Sequence, residues 1–261
     1  MAEPHTSFAN PPEYNAMYEE YSEGPVEPIV NGLAQPPKAD LIPRGPGEYY
    51  ANITYMDAQI GRVLHWLRDH DLYDDTVVVF SSDNGAVTSN WFNWWEVNAY
   101  GSTGGFRGRK HLLYEGGIRV PAIIRYPALV EAGTVTDEPV IGMDWFVTLA
   151  NLGGGKVPED RAIDGMDISR VFDGEALPER SLFWSLFAGE YRVTQIEYVV
   201  RRGDWKLLLD VDGKPIELYN LDEDPLEFFN LIESETDLVQ QLAKDARAMI
   251  DSIANDPLRP R

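Results

Sequence analysis

The chain contains no cysteine among its 261 residues, and it has no apolar run that approaches membrane-spanning length. The absence of cysteine excludes disulfide bonds and thiol chemistry, and it leaves the redox compartment open. A membrane-spanning helix needs about 20 consecutive apolar residues, so none is predicted. Hydrophobic residues still make up 44% of the sequence and charged residues 25%, which is typical of a globular protein.

Basic residues are scarce beside acidic ones. Lysine and arginine number 22 against 43 aspartates and glutamates, and the formal net charge is -21. A surface of this sign repels nucleic acid and anionic membranes, so neither is expected as a partner. It also repels other polyanions at long range, unless a local basic cluster offsets the repulsion. The residues available for such a cluster are Arg107, Arg109, Lys110 and Arg119.

One short segment carries the first chemical signal. A run of β-branched residues leading to Phe80 predicts a buried strand at residues 76–82, and Asp83, Asn84 and Gly85 follow it. In α/β sheets, ligands bind just outside the carboxyl ends of strands, and one carboxylate beside one amide oxygen suits calcium or magnesium. Asp-Asn-Gly is also typical of a plain turn after a strand, so the segment alone leaves both interpretations open.

The strand lies within a helix–strand pattern that is typical of α/β proteins. Residues 48–70 place apolar side chains at three- and four-residue spacing, which predicts an amphipathic helix. A second strand is predicted at 118–127 and a second helix at 143–152. The proline-rich residues 8–47 are predicted as a loop with a short helix between Asn10 and Tyr21, and the aromatic-rich residues 86–106 are predicted as a second loop.

After about residue 175 the pattern changes to short strands without intervening helices. Strands are predicted at 181–184, 198–201 and 205–209, and Asp212-Gly213 is typical of a hairpin turn. A terminal helix is predicted at 238–253. Together these elements indicate a small antiparallel layer at the end of the chain.

Four segments follow one another in a fixed order: Asp-Asn-Gly at 83–85, Gly-x-Lys at 108–110, Tyr-Glu-Gly-Gly-Ile-Arg-Val-Pro at 114–121 and Leu-Tyr-Asn-Leu-x-x-Asp-Pro at 218–225. Each is a weak pattern alone, but in this order they resemble the sulfatase family of the alkaline-phosphatase-like superfamily. The resemblance extends from Glu3 to about Leu231. It implies an incomplete α/β layered sheet with helices in residues 1–175, and a small antiparallel α+β subdomain in residues 176–261.

The resemblance also implies features that this sequence lacks. In the family, an N-terminal half carries a Cys/Ser-x-Pro-x-Arg motif, whose Cys or Ser becomes the formylglycine nucleophile, and two aspartates that complete the metal site. No such motif occurs here. We therefore expect a C-terminal portion that is inactive alone, with a separate N-terminal half as a candidate partner. Secretion or a periplasmic location is expected if that half carries a signal peptide.

The resemblance assigns roles to four residues. Asp83 and Asn84 match ligands of a calcium ion, which prefers oxygen donors. Lys110 matches the lysine that contacts the sulfate and the leaving-group oxygen, a role that suits a compact ammonium. His5 matches the histidine that acts as general acid or sulfate contact near neutral pH.

Further residues are candidates for substrate binding. Arg107 and Arg109 would flank the anion, and His111, where the family often has glycine, would lie in the pocket or on its rim. The loop at 86–106 contains Trp91, Trp94 and Trp95. These side chains would either contact the alcohol part of the substrate or cover the core. Glu115 and Arg119 are predicted to pair behind the site.

The sequence thus predicts a sulfatase that hydrolyses a sulfate monoester of a carbohydrate or aryl alcohol with calcium. The partner would be a sulfated small molecule or carbohydrate. A phosphatase or phosphodiesterase of the same superfamily is an alternative, because it would share metal ligands at strand ends. A second alternative is a non-catalytic binding module that complements another chain.

Overall fold

The structure is a computed structural model that describes residues 10–21, 46–87, 101–186 and 194–255. The helices within these ranges are α1 Pro12–Ala16, α2 Pro46–Asp69, α3 Glu115–Ile118, α4 Asp144–Leu152 and α5 Thr236–Ala254. The strands are β1 Val78–Ser81, β2 Ala122–Arg125, β3 Ser181–Ser185, β4 Ile196–Arg202, β5 Trp205–Asp210 and β6 Pro215–Asn220. Single 3₁₀ turns occur at Glu19–Tyr21 and Ser169–Asp173.

The predicted helices and strands are confirmed, with shifted ends. The helix predicted at 48–70 is α2, which begins at Pro46, a residue whose fixed φ and missing N–H suit a first helical turn. The strand predicted at 118–127 shortens to β2, because residues 115–118 form α3 instead. The short strands and terminal helix of the last third are β3 to β6 and α5.

The four-stranded sheet has the order β3-β4-β5-β6, and each neighbouring pair is antiparallel. Alternation along β5 gives the sheet two apolar faces. Leu207 and Leu209 pack with Leu242 of α5, and Leu208 packs in a separate cluster with Leu113 and Tyr114. The sheet is therefore enclosed between α5 and the segment that precedes α3.

The two-stranded sheet pairs β1 with β2 in antiparallel register, from Val78 opposite Arg125 to Ser81 opposite Ala122. Its side chains are only partly covered: Phe80 is 37% exposed and Ile123 is 62% exposed. The expectation of a buried strand is therefore wrong for the described residues. β-branched residues favour extended backbone, but burial depends on what packs over it.

Helix α2 shows the same contrast between pattern and burial. Its apolar stripe exists as predicted, but within the described chain only Gly47, Ala51 and Asn52 of this helix are buried, and Trp66 is 54% exposed. The short helix α1 and the 3₁₀ turn at Glu19–Tyr21 both contact α2, and between them the Tyr18 hydroxyl lies 2.6 Å from Thr54 Oγ1. No described helix is both long and apolar enough to cross a membrane.

The division at residue 175 stays a prediction. The cluster that contains Leu113 and Tyr114 also contains Val199 and Leu208, so apolar contacts cross this position. A buried ion pair crosses it as well, because Arg180 Nη2 lies 2.5 Å from Asp144 Oδ2. The two parts are therefore packed together at their interface.

Candidate active site

Two backbone hydrogen bonds join the segment that carries the predicted metal pair to the segment that carries the predicted lysine. The N–H of Lys110 donates to the carbonyl of Ala86 at 2.8 Å, and the N–H of Gly85 donates to the carbonyl of Gly117 at 2.9 Å. The segment that follows β1 is thus held against the segment between residues 106 and 118. Two motifs that lie some twenty-five residues apart in sequence form one local unit.

Close backbone packing explains the glycines of both motifs. A Cβ atom at Gly85 would overlap the carbonyl oxygen of Gly116, and one at Gly117 would overlap that of Leu112. A Cβ at Gly116 would likewise overlap the carbonyl oxygen of Gly108. Only glycine allows backbones to approach this closely. The glycines of the Asp-Asn-Gly and Glu-Gly-Gly patterns are therefore required by the backbone packing here.

Asp83 and Asn84 lie directly after β1, at the edge of this unit. Asp83 is exposed and Asn84 is half-buried. The side-chain amide nitrogen of Asn84 donates to the Gly85 carbonyl at 3.3 Å. The side-chain oxygen of Asn84 is therefore the atom that would bind a cation. This donor chemistry fits calcium, which takes about 6–8 oxygens, so the pair can supply two of them. Within the described ranges, no group of three or more His, Cys, Asp or Glu residues could hold a metal.

Lys110 and His111 are consecutive residues in the segment 106–118, and both are half-buried. His111 has a φ of 70°, in the left-handed region where glycine is favoured. Burial lowers the pKa of the His111 imidazole, and the neighbouring Lys110 charge lowers it further. The ring is therefore mainly neutral near pH 7 and can accept or donate a hydrogen bond.

The two arginines of the unit bind protein groups. Arg107 Nη1 donates to the Tyr219 hydroxyl at 2.7 Å and to the Glu227 carbonyl at 2.9 Å. Arg109 Nη1 donates to the carbonyls of Val87 and Gly101, the described residues that flank 88–100. Both guanidinium groups have an observed structural role. Their contact with a bound anion stays a prediction.

Beneath the unit lies a buried cluster of charges that the sequence did not reveal. Lys206 Nζ of β5 lies 2.9 Å from Glu115 Oε1 and 2.8 Å from Glu227 Oε1. Burial raises the pKa of Glu227, although the Lys206 charge and its hydrogen bond oppose the shift. The predicted pair of Glu115 and Arg119 is confirmed at 3.7 Å, on the other carboxylate oxygen.

One signal in the sequence could have found this cluster. Lys206 stands two residues before Leu208 in a predicted strand, so both must point to the same buried face. A lysine in that position requires a carboxylate partner. The remaining predicted site residues, His5, Trp91, Trp94 and Trp95, lie outside the described residues.

Comparisons with known proteins identify the family of the chain. The family model described as Sulfatase matches residues 1–155, and the model described as N-sulphoglucosamine sulphohydrolase, C-terminal, matches residues 103–254. Steryl-sulfatase of Homo sapiens is 40% identical over 130 residues, which cover 50% of this chain and 22% of that protein. N-acetylgalactosamine-6-sulfatase of Canis lupus familiaris is 36% identical over 138 residues, which cover 53% and 26%.

Solved structures show the same fold. The PsFucS1 sulfatase of Pseudoalteromonas sp. superposes with a TM-score of 0.65 at 21% identity, over 89% of this chain and 48% of that chain. The chain therefore has the predicted α/β fold of the alkaline-phosphatase-like sulfatases. It spans about a quarter of the length of the two curated relatives and about half of this solved chain. Because the sulfatase model matches more than half of its residues, the chain belongs to the sulfatase family.

Proposed function

We propose that this chain carries part of the active site of an enzyme that hydrolyses sulfate monoesters. One observation supports the proposal above the others. The backbone hydrogen bonds at Lys110 and Gly85 hold together the two segments that carry the proposed ammonium and the proposed pair of oxygen ligands. Sulfate ester cleavage needs both, because negative charge on the sulfuryl oxygens must be offset during attack on sulfur.

Lys110 would hold a sulfuryl oxygen and stabilise the leaving oxygen, for which a compact ammonium is suited. His111 is neutral and adjacent, so it can hydrogen-bond to the leaving alcohol or to its neighbouring groups. Asp83 and Asn84 would hold the calcium ion that the family implies. When bound, calcium would polarise the sulfuryl group and offset its anionic charge. Further oxygen ligands and a nucleophile would have to come from residues beyond those described.

The substrate class follows from the relatives. Proteins similar to this chain are named for a steroid sulfate and for a sulfated amino sugar, N-acetylgalactosamine 6-sulfate. Both names describe a sulfate ester of an alcohol on a molecule that contains rings. We infer the same class here, with a carbohydrate or aryl alcohol as the leaving group. Under the proposal, the indole rings of Trp91, Trp94 and Trp95 would contact that group.

Titration with inorganic sulfate tests the role of Lys110. The chain should bind sulfate weakly in 0.15 M salt, a condition that screens the negative surface over about 8 Å. Nuclear magnetic resonance of the labelled chain should show shifts at Lys110 and Gly85, and Lys110→Met should remove them. Lys156→Met, which changes an exposed lysine, is the matched control. Shifts that persist in Lys110→Met would exclude this lysine as the anion contact.

Calcium titration tests the metal pair separately. In a protein that also contains the residues supplying the other ligands, Asp83→Asn and Asn84→Ala should each weaken calcium binding measured by calorimetry, while Asp75→Asn, at an exposed aspartate, should not. An equal titration with inorganic phosphate separates a sulfatase from a phosphatase. Phosphate binding that is stronger than sulfate binding would favour the phosphatase interpretation.

Hydrolysis itself is tested with an aryl sulfate and calcium. The sequence contains no Cys/Ser-x-Pro-x-Arg motif, so this chain alone should show no turnover. The coding sequence on the 5′ side of the Met1 codon supplies the complementary observation. An in-frame Cys/Ser-x-Pro-x-Arg motif there would support hydrolysis by the whole protein, and its absence would favour a binding role.

A further inference from the structure

Lys206 is a fully buried cation that lies behind the site. Its side chain is 0% exposed, and those of its two partners, Glu115 and Glu227, are 3% and 0% exposed. Such clusters seldom add net stability, because the cost of removing the charges from water offsets their attraction. Apolar side chains of similar volume would fill the same space at lower cost. The cluster therefore needs an explanation other than stability.

The position of Lys206 in the sheet supplies that explanation. Its register partners are Arg201 on β4 and Tyr219 on β6, so three polar side chains form a row across the sheet. The row lies on the face where Leu208 packs with Leu113 and Tyr114. This is the face that supports the segment with Lys110. The opposite face packs apolar residues against α5.

A short series of contacts connects Lys206 to the site. Glu115 is the first residue of α3, and its N–H donates to Glu227 Oε2 at 2.7 Å. The cluster thus fixes both the side chain and the backbone of that residue. Gly116 and Gly117 follow immediately, and the carbonyl of Gly117 accepts the N–H of Gly85. Because the backbone is tightly packed at these glycines, a shift of α3 would also displace the segments that it contacts.

Backbone strain at Glu227 points the same way. Its φ is 60°, a left-handed conformation that costs a non-glycine residue free energy. The same residue accepts the Arg107 guanidinium on its carbonyl oxygen, at 2.9 Å. Glu227 therefore holds residues 106–118, called here the site segment, at two points, Glu115 and Arg107. Strain of this kind persists only where the surrounding contacts fix the conformation.

We propose that Lys206 is a positioning residue of the site: by holding Glu115 and Glu227 it fixes the start of α3, and α3 in turn sets where Lys110 lies relative to Asp83 and Asn84. The inference rests on the proposed function of those three residues. Displacements of about 1 Å at such groups are enough to lower catalytic efficiency. Under this proposal Lys206 does not contact the substrate, and it affects the reaction only by positioning the site segment.

Two variants separate positioning from stability. Lys206→Met keeps the length of the side chain but leaves two buried carboxylates without their cation, and it should destabilise the chain. A triple variant with Lys206→Met, Glu115→Gln and Glu227→Gln removes every charge of the cluster and should recover most of the melting temperature. Lys244→Met, on the exposed face of α5, is the matched control.

Amide hydrogen exchange measures the position of the site segment directly. In the triple variant, the amides of Lys110 and Gly85 should exchange at least tenfold faster than in the unmodified chain, while the Leu208 amide stays unchanged. Site amides that exchange at the unmodified rate in the triple variant would overturn the proposal. A uniform acceleration of all amides would also overturn it, because it would show an effect on global stability alone.

Sulfate affinity distinguishes this inference from the proposed function. If the unmodified chain binds sulfate at Lys110, the triple variant should bind it at least threefold more weakly, and equal affinity would overturn the inference. If the unmodified chain does not bind sulfate at all, the proposed function fails. The exchange measurement would still decide whether Lys206 positions the segment.

Discussion

The four-stranded and two-stranded sheets are built from similar apolar strands but are buried to very different extents. Val199, Leu207 and Leu208 of the larger sheet are 0% exposed, whereas Phe80 and Ile123 of the smaller one are 37% and 62% exposed. The larger sheet is covered on both faces by described residues. The smaller sheet, which leads into Asp83 and Asn84, has no comparable cover in the described ranges. Stability and the candidate chemistry are thus located in different sheets.

The largest expected difference between the sheets is in stability. Leu208→Ala should lower the free energy of unfolding by about 2–5 kcal/mol, because it removes buried methyl groups and leaves a cavity. Ile123→Ala should change it by less than about 0.5 kcal/mol, since the side chain is mostly exposed. Urea unfolding of both variants measures this contrast. Equal losses would show that the smaller sheet is buried in solution.

The ion pair of Asp144 and Arg180, which joins α4 to the start of the larger sheet, should have the next largest effect. Asp144 is 0% exposed, and both of its oxygens accept hydrogen bonds from Arg180. Asp144→Asn should therefore lower the free energy of unfolding by about 2–3 kcal/mol at pH 7. Asp137→Asn, at an exposed aspartate, is the control. A loss no larger than that of the control would show that the two parts are not coupled here.

The same pair should produce acid sensitivity. Burial acts to raise the pKa of Asp144, but hydrogen bonds from Arg180, Ile141 and Met166 outweigh it, and the pKa lies below its ordinary value. The folded state then holds the proton less tightly than the unfolded state, whose pKa is about 3.9. Its contribution is complete above that value and is lost as pH falls through the lower, folded pKa. Asp144→Asn should flatten this acid limb of the stability curve.

Glu227 should give a smaller effect of the opposite sign. Because burial raises its pKa in the folded state, the folded chain binds a proton at higher pH than the unfolded chain, whose pKa is about 4.3. Stability should therefore decrease as pH rises from that value through the folded pKa, and then level off. The charged side chains of Lys206 and Glu115 act on this carboxylate, and the Arg107 guanidinium donates to the carbonyl of the same residue.

Glu227→Gln should remove this slope, because an amide does not titrate in that range. Glu223→Gln, at an exposed position in the same segment, should leave it unchanged. Urea unfolding at intervals from pH 4 to pH 8 measures both. A slope that survives in Glu227→Gln would assign the titration to another group.

The smallest expected effect is weak self-association through the smaller sheet. Strands with exposed apolar residues and free edges can pair with other chains. The net charge of -21 opposes this contact, and salt screens that charge over about 8–10 Å at physiological strength. Sedimentation should therefore show association that increases with salt. Ile123→Lys should reduce it, and Val135→Lys, at a residue 89% exposed outside the strands, should not.

The sequence predicted the elements well, because their signals are local. The spacing of apolar residues predicted α2, and Asp212-Gly213 predicted the hairpin between β5 and β6, where Gly213 has a φ of 72°. Burial was harder to predict. The run from Val77 to Phe80 is typical of a covered strand, but it shows only the preference for extended backbone and not the presence of a covering layer.

The sequence predicted which segments of the candidate site lie together, but it did not predict their long-range contacts. Motif order brought Asp83 and Lys110 into one hypothesis, and the hydrogen bonds at Gly85 and Lys110 confirm that their segments lie together. The contacts of Arg107 with Tyr219 and Glu227 were not foreseen, because they join residues more than a hundred positions apart. Long-range polar contacts of this kind leave no periodic signal in a single sequence.

The alternation along β5 also has a consequence for how the chain folds. A shift of this strand by one residue against β4 or β6 would exchange its two faces. Lys206 would then enter the apolar layer against α5, between Leu242 and Ala246, without a carboxylate to pair with. An unpaired ammonium in that apolar layer makes a one-residue misalignment unfavourable. Lys206 thus favours the observed register of β5 with β4 and β6.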